Sequence, residues 1–241
     1  MSLIIWDEKS SERFIDASVY TGFHKQLAKK IIPHLEPGDK MCDVGCGLGR
    51  LDLELAPFVS DILAIDISEY AILTLSEEAA RTGVKNIRAM QGDAAELGAD
   101  FDVILMSLYG LEDIPGMLER CKRKHIRIVG AGRRSGLYPE RYRRELKDAV
   151  PIVRDRLESL GIVYALEMCT FEFGQPLRTM HDAEKFVLTN APEAEGKEVT
   201  GFLDEFLHNT GRDDFPYYLP YQKELGIFVI DMGRQTSLPE L

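Results

Sequence analysis

The sequence predicts an α/β protein built on a doubly wound, mostly parallel sheet of seven strands. Short apolar segments alternate with segments of helical periodicity from residue 40 onward. The first five apolar segments are hydrophobic on both faces, which is typical of parallel strands covered by helices on both sides. A turn with glycine at three alternate positions follows the first strand. Sheets of this class bind their ligands at such strand ends.

Composition narrows the class of protein. The 241-residue chain is 45% hydrophobic and 29% charged, as is typical of a globular protein. No apolar run approaches the roughly 20 residues that cross a membrane, and the net charge of −11 argues against general nucleic-acid binding. The four cysteines have neither metal-ligand spacing nor a disulfide-dense pattern, so we expect no metal site and a cytoplasmic location.

The first predicted element is a helix at residues 10–33, within an N-terminal helical segment at 1–38. Ser10 or Ser11 can cap this helix, and Pro33 ends it. Its apolar residues recur at helical spacing, so they lie on one side: Phe14, Ile15, Val19, Phe23, Leu27 and Ile31.

Strands and helices then alternate along the chain. The predicted strands are at residues 40–44, 61–67, 86–91, 101–107, 125–130, 162–173 and 225–232. The predicted helices between them are at residues 49–57, 69–82, 113–123 and 139–161. The last of these helices contains Pro151, which we expect to bend it.

The alternation is interrupted between the sixth and seventh strands. This part contains two helical stretches, at 182–189 and 199–208, and an aromatic segment at 215–221. We interpret it as a cap insert laid over the carboxyl edge of the sheet. The predicted organisation is a single domain at 1–241, with its core at 39–173 and 225–234 and its cap at 174–224.

The turn after the first strand has the features of a ligand site. Gly45, Gly47 and Gly49 can take positive φ values, and without a Cβ they let a ligand lie on the backbone. A predicted helix begins at once, and the free N–H groups at a helix start favour an anionic group. We therefore expect a small-molecule cofactor here.

The glycine spacing separates the possible cofactors. The fingerprint for a nicotinamide or flavin dinucleotide is Gly-x-Gly-x-x-Gly, whereas this chain has Gly-x-Gly-x-Gly with Arg50 where the third fingerprint glycine would fall. No Gly-Lys-Ser/Thr follows the glycines, which disfavours a nucleoside triphosphate. An NAD-dependent oxidoreductase remains an alternative.

The segment from Met41 to Arg50 resembles motif I of the class I S-adenosylmethionine-dependent methyltransferases of the small-molecule type. Asp43 and the three glycines have the expected spacing. Three further motifs follow in order at predicted strand ends, so the resemblance covers residues 40–130. It implies a methyltransferase with a Rossmann-like sheet, in which the seventh strand is antiparallel between the fifth and sixth. It also implies S-adenosylmethionine as the cofactor.

The resemblance implies which residues hold that cofactor. Asp66 matches the acid that binds the ribose hydroxyls, and Asp93 matches the acid that binds the adenine amino group; ionised carboxylates accept such hydrogen bonds. The fourth strand, which ends at Ser107, lies beside the methyl donor. A helix cap for Asp66 and a turn for Asp93 stay open as alternatives. The implied cofactor-binding residues are Tyr20, Asp43, Gly45, Cys46, Gly47, Asp66, Ile67, Asp93, Ala94 and Ser107.

The methyl acceptor is less defined. Methyl transfer from a sulfonium requires alignment and exclusion of water, and it needs a general base only if the acceptor must lose a proton. Residues 106–110 lack the Asn/Asp-Pro-Pro-Tyr/Phe signature of enzymes that methylate amide or adenine nitrogens. The catalytic residues are therefore unknown, with His24 and Tyr109 as candidates. Four cap aromatics either line an acceptor pocket or pack the cap down: Phe215, Tyr217, Tyr218 and Tyr221.

The leading hypothesis is methyl transfer to a small-molecule acceptor by in-line displacement. Residues 120–147 contain eleven Lys or Arg against Glu140 and Glu145. They are either a solvated surface or a basic rim for RNA or another polyanion, which is an alternative acceptor. A non-catalytic cofactor-binding module is a further alternative. We expect no membrane partner, and the sequence gives no oligomeric state.

Overall fold

A computed structural model describes residues 6–93, 98, 100–110, 113–132, 134–146 and 148–235. Its helices are α1 (Glu8–Thr21), α2 (Phe23–Ile31), α3 (Arg50–Leu55), α4 (Glu69–Thr82), α5 (Ile114–Glu119), α6 (Val150–Ser159), α7 (Met180–Asn190) and α8 (Gly196–Phe206). Its strands are β1 (Lys40–Val44), β2 (Asp61–Asp66), β3 (Ile87–Gln91), β4 (Phe101–Ser107), β5 (Cys121–Gly130), β6 (Arg134–Ser135), β7 (Arg144–Glu145), β8 (Ala165–Glu172), β9 (Gln175–Leu177), β10 (His208–Asn209), β11 (Tyr217–Leu219) and β12 (Gln222–Asp231).

Seven of the strands form one sheet in the order β3-β2-β1-β4-β5-β12-β8. The strands β1 to β5 pair in parallel, whereas β12 is antiparallel to both β5 and β8. The mostly parallel sheet with an antiparallel last strand is therefore confirmed. The chain order reverses between β1 and β4, and ligands bind outside the carboxyl ends of the strands at such a switch point.

Both faces of the sheet are apolar and covered by helices. One face packs against α2, α3 and α4, and its core includes Leu27 and Leu55, which are fully buried. The other face packs against α5 and α6 and includes Leu118 and Val153, which are also fully buried. Burial on both sides explains why the central strands β1, β2 and β4 contain continuous apolar runs with no alternation.

The single helix predicted at 10–33 is wrong, because the structure has two helices there. Gly22 separates α1 from α2 with a left-handed φ of 65°, a conformation that glycine adopts without strain and that ends helices. The cap also differs from the prediction: Asp7 accepts a hydrogen bond from the Ser10 N–H at 2.7 Å. The apolar spacing continues across the break, which is why periodicity did not reveal it.

The largest disagreement with the sequence prediction lies between β4 and β8. The predicted helix at 113–123 ends at Glu119, and β5 begins four residues earlier than predicted, at Cys121. The predicted helix at 139–161 is wrong in its first half, which holds a short 3₁₀ turn and β7, the antiparallel partner of the preceding β6. Its second half is α6, in which Pro151 occupies the first turn instead of bending the helix.

The residues between β8 and β12 form a small layer of their own. A three-stranded sheet in the order β10-β11-β9 packs with α7 and α8. Their shared apolar cluster includes Val187, Leu203 and Leu219, and α1 lies against β9. Within the described residues, the structure has no helix of the length and apolarity that a bilayer crossing requires.

Candidate functional site

The glycine turn lies at the switch point between β1 and β4 and is tied to β2. The N–H groups of Gly45 and Cys46 both donate to the Ile65 carbonyl oxygen, at 2.8 and 3.1 Å. The Gly47 N–H donates to Asp66 Oδ2 at 3.0 Å. Gly45 and Gly47 have φ values of 76° and 53°, which favour glycine at both positions. The turn is thus held in place by hydrogen bonds to the neighbouring strand.

Asp66 stands at the end of β2 with its carboxylate oriented by backbone donors. Oδ2 accepts from Gly47, and Oδ1 accepts from the Ser68 N–H at 2.9 Å. Ser68, not Asp66, caps α4, because its hydroxyl accepts from the Ala71 N–H at 3.3 Å. Each carboxylate oxygen has a further lone pair. The side chain is half-buried, so it can accept hydrogen bonds from a ligand while its position stays fixed.

Tyr109 covers the first glycine of the turn. A Cβ built on Gly45 would lie 2.2 Å from Tyr109 Cδ2, so the aromatic ring rests directly on the glycine backbone. Burial raises the pKa of Tyr109, and the charges of Asp93 and Asp66 raise it further. Beside the ring is a small cleft lined by Val44, Gly45, Ile65, Asp66, Ile67, Gly92 and Tyr109. Asp66 and the Tyr109 ring therefore share one cleft.

Trp6 covers the second glycine, and sequence reasoning did not assign it to the site. A Cβ on Gly47 would lie 3.2 Å from Trp6 Cζ2. The indole also meets Phe14 of α1 edge-on, with ring centroids 5.2 Å apart. Trp6 is the only tryptophan of the chain, and it directly precedes the Asp7 cap. A single tryptophan beside a helix start was the one available signal, and it does not by itself indicate a distant glycine turn.

His24 is enclosed by other side chains, and Tyr20 packs against the insert. His24 is 8% exposed and stands among aromatic rings, and its Nδ1 is 2.6 Å from Ser18 Oγ. Burial lowers the pKa of His24 to about 3, with help from the Lys223 and Arg50 charges. A neutral, enclosed imidazole of this basicity is unsuited to act as a general base at neutral pH. Tyr20 stacks on Tyr218 at 4.8 Å and so joins α1 to the insert.

Asp43 lies beneath the glycine turn instead of facing a ligand. It is 2% exposed and interacts with Asp52 of α3, which is fully buried and was missed from sequence. Burial raises the pKa of Asp43 to about 7 and raises that of Asp52 well above its ordinary value. The pair supports the turn from below. Cys46 donates its thiol to the Gly47 carbonyl, and burial raises its pKa, so it is not a reactive thiolate.

The remaining predicted residues lie along the same carboxyl edge. Ser107 is half-buried at the end of β4, Ile67 is 45% exposed, and Asp93 interacts electrostatically with Tyr109. Ala94 lies outside the described residues. The cap aromatics are used in packing: Phe215 meets Tyr20 edge-on, Tyr217 packs on the insert core, Tyr218 stacks on Tyr20, and the Tyr221 hydroxyl accepts from the Gly136 N–H.

The basic segment at 120–147 does not form one positive rim among the described residues. Arg123 pairs with Asp39 near the amino end of β5, which is opposite to the glycine turn. Other basic side chains of the segment also meet acids of distant elements: Lys122 with Asp100, Lys124 with Asp231, Arg127 with Asp148, and Arg141 with Glu198. Five of the eleven basic side chains are therefore paired with acids of the same chain.

Comparisons with known proteins agree with this geometry. Residues 35–129 match a family described as a methyltransferase domain. A probable cobalt-precorrin-6B C(15)-methyltransferase (decarboxylating) of Methanococcus maripaludis is 34% identical over 98 residues, 41% of this chain and 54% of that protein. A ribosomal protein L11 methyltransferase of Thermus thermophilus is 30% identical over 146 residues, 58% of this chain and 53% of the relative. This chain thus spans about half the length of both relatives.

A solved structure extends the similarity to the fold. The magnesium protoporphyrin IX methyltransferase of Synechocystis, solved with bound S-adenosylhomocysteine, superposes with a TM-score of 0.52 at 16% identity. The match covers 89% of this chain and 85% of the other. At this identity the likeness concerns the fold alone.

Proposed function

Since this chain belongs to the class I S-adenosylmethionine-dependent methyltransferases, we propose that it transfers the methyl group of S-adenosylmethionine to a small-molecule acceptor. The observation that carries the proposal is the Asp66 carboxylate. Backbone N–H groups of the glycine turn and of the α4 start hold it at the carboxyl end of β2, beside the switch point of the sheet. An acceptor-only group in that position suits a pair of ribose hydroxyls.

The described residues fit the cofactor along one edge of the sheet. Asp66 would accept hydrogen bonds from the ribose, Asp93 from the adenine amino group, and the turn at Gly45 and Gly47 would lie under the methionine end. Tyr109 already covers Gly45, so the bound cofactor would displace this ring or take it as a cover. Aromatic rings that exclude water from the transfer position favour the reaction.

The cofactor supplies an activated methyl group, because its sulfonium leaves as a neutral thioether. The protein's task is to hold an acceptor in line with the carbon–sulfur bond and to keep water out. None of the predicted bases is needed for that task unless the acceptor carries a proton that must leave. His24 is unsuited to remove such a proton, because it is neutral and enclosed.

Three features support a small molecule as the acceptor. The net charge is −11, and five of the eleven basic side chains of the basic segment are paired with acids of the same chain. The segment after β4 lacks the signature of enzymes that act on amide or adenine nitrogens. A relative is named for a precorrin, which is a small molecule. The relative named for a ribosomal protein makes a macromolecule the competing acceptor.

Binding of S-adenosylhomocysteine tests the donor site. Calorimetry, together with fluorescence from the lone Trp6 beside Gly47, should show saturable binding with one site. Asp66→Ala should weaken this binding by about 1–3 kcal/mol, because the ribose hydroxyls lose their acceptor. Asp61→Ala, at the other end of β2, is the matched control and should bind like the wild type. Absence of saturable binding to the wild type would exclude the proposed function.

A further inference from the structure

A buried ion pair stands beside the candidate donor site on the other side of β4. Arg127 lies within β5 and is 1% exposed. Its Nη2 is 3.1 Å from Asp148 Oδ1, and the Asp148 side chain is 15% exposed. Asp148 precedes α6, the helix that covers this face of the sheet. Burying a charge pair is costly compared with an apolar pair of the same size, so a role beyond stability is worth seeking.

The position of Asp148 relates it to the glycine turn. A Cβ built on Gly110 would lie 2.6 Å from Asp148 Oδ2, so the carboxylate takes the space of a side chain there. Gly110 is the third residue after β4 ends at Ser107. Its neighbour Tyr109 covers Gly45. Tyr109 therefore contacts the glycine turn, and the next residue, Gly110, lies against the Asp148 carboxylate.

The surroundings fix the carboxylate in place. Ala149 bridges to Gly130 at the carboxyl end of β5, so the backbone next to Asp148 is held against the sheet. Burial lowers the pKa of Arg127, the nearby Arg156 lowers it further, and the contact with Asp148 raises it. The Asp148 carboxylate is thus an anion held against the buried Arg127 guanidinium group. Arg127 approaches from within the sheet, and Oδ2 is directed towards the strand ends.

We propose that Asp148, positioned by Arg127, is the acceptor-side carboxylate of the transfer site. It faces the positive charge of the donor and accepts a hydrogen bond from an N–H or O–H group of the methyl acceptor. The inference rests on the proposed function, because the donor methyl must be presented at the end of β4. It restricts the acceptor to molecules with a hydrogen-bond donor next to the atom that is methylated.

The acceptor is unidentified, so the test uses two cofactor analogues. S-Adenosylhomocysteine has a neutral sulfur, whereas sinefungin carries a protonated amine where the donor carries its methyl group. A carboxylate beside the transfer position should favour sinefungin. The dissociation constant for S-adenosylhomocysteine divided by that for sinefungin should therefore fall about five- to tenfold in Asp148→Asn, which is the scale expected for removing one charge at close range. Affinity for S-adenosylhomocysteine itself should change little.

Asp231→Asn is the matched control. Asp231 pairs with Lys124, so this variant also removes an acid from a basic residue of β5, but at the amino end of that strand. The ratio of the two dissociation constants in Asp231→Asn should equal that of the wild type. Equal ratios for Asp148→Asn and the wild type, with S-adenosylhomocysteine still bound, would overturn the inference and leave the proposed function standing.

A folding defect is the obvious complication, because Asp148→Asn leaves Arg127 buried without this carboxylate. The double variant Arg127→Met, Asp148→Asn removes both charges and keeps the test valid. A lowered preference for sinefungin in this folded variant supports the inference, and a wild-type preference contradicts it. A wild-type protein that bound neither analogue would refute the proposed function together with the inference.

Discussion

The two halves of the sheet handle buried charge in opposite ways. Under the glycine turn, Asp43 and Asp52 face each other, and burial raises the pKa of both carboxyl groups. Beyond β4, Arg127 and Asp148 form an ion pair of opposite charges. The carboxyl pair therefore keeps a proton, whereas the ion pair keeps its two opposite charges. A neutral, rigid floor under the turn suits the proposed donor site, whereas a fixed charge suits the proposed acceptor site.

The two halves also differ in how well the sequence predicts them. The strands β1 and β2 and the helix α4 start and end within one residue of their predicted positions. Between β4 and β8, one predicted helix is too long and another is half replaced by strands and turns. Local signals dominate the first half, and contacts with distant acids dominate the second. The following experiments test this comparison, from the largest expected effect to the smallest.

The largest effect should come from the ion pair. Asp148→Asn should lower the free energy of unfolding by about 3–5 kcal/mol, because the buried Arg127 loses its counter-charge. The double variant Arg127→Met, Asp148→Asn should recover most of that loss. Urea unfolding of both variants measures the difference. A small effect for the single variant would show that Arg127 does not depend on this carboxylate.

The carboxyl pair of Asp43 and Asp52 should make the free energy of unfolding depend on pH. Burial raises the pKa of Asp43 from 3.8 to about 7. Between these two pH values the folded protein keeps this proton, whereas the unfolded chain has released it. The stability that this protonated pair contributes to the folded protein is therefore fully present below about pH 4 and is lost as the pH rises through 7. Wild-type stability should fall between pH 5 and pH 8 by about 2–4 kcal/mol more than that of the variant Asp43→Asn, Asp52→Asn.

Urea unfolding at the two pH values measures this difference, and it cancels the contribution of all other titrating groups. Asp61→Asn serves as a control, because Asp61 begins β2 at the opposite edge and should leave the wild-type pH dependence in place. Parallel pH profiles for the wild type and the double variant would contradict protonation of the carboxyl pair.

The smallest effect separates backbone strain from side-chain crowding in the turn. Gly45 and Gly83 both have a φ of 76°, but a Cβ at Gly83 meets nothing within 4 Å. Gly45→Ala should therefore cost about 1–3 kcal/mol more than Gly83→Ala in thermal or urea unfolding, because it meets the Tyr109 ring. Tyr109→Ala should relieve that excess. Equal costs at the two glycines would mean that the ring moves away freely.

Much of the fold was predictable, because short-range features set it. Strands buried on both faces are continuous in the sequence, and a glycine turn marks its own position by residue type. Asp66 was likewise placed at a strand end by counting. The helix errors came from elements whose own signals were ambiguous. The charged start of β5 resembles a polar helix until Asp39, Asp100 and Asp231 supply partners from distant segments.

The site residues were predicted from local motifs alone. Trp6 and Asp52 at the glycine turn were missed, since each contacts its partner through the folded chain and neither belongs to a local motif. The same holds for Asp148, the proposed acceptor-side carboxylate. His24 was misread as an available base, because helical spacing gives the face of a residue but not what covers it.

The sequence by itself determined the positions of the main strands, the glycine turn and the resemblance to the methyltransferases, because these depend on residue types at short, fixed spacings. The tertiary structure decided which rings cover the turn, which carboxyl groups hold a proton and which keep a charge. Those properties depend on burial and on partners far away in the chain, which no local pattern records.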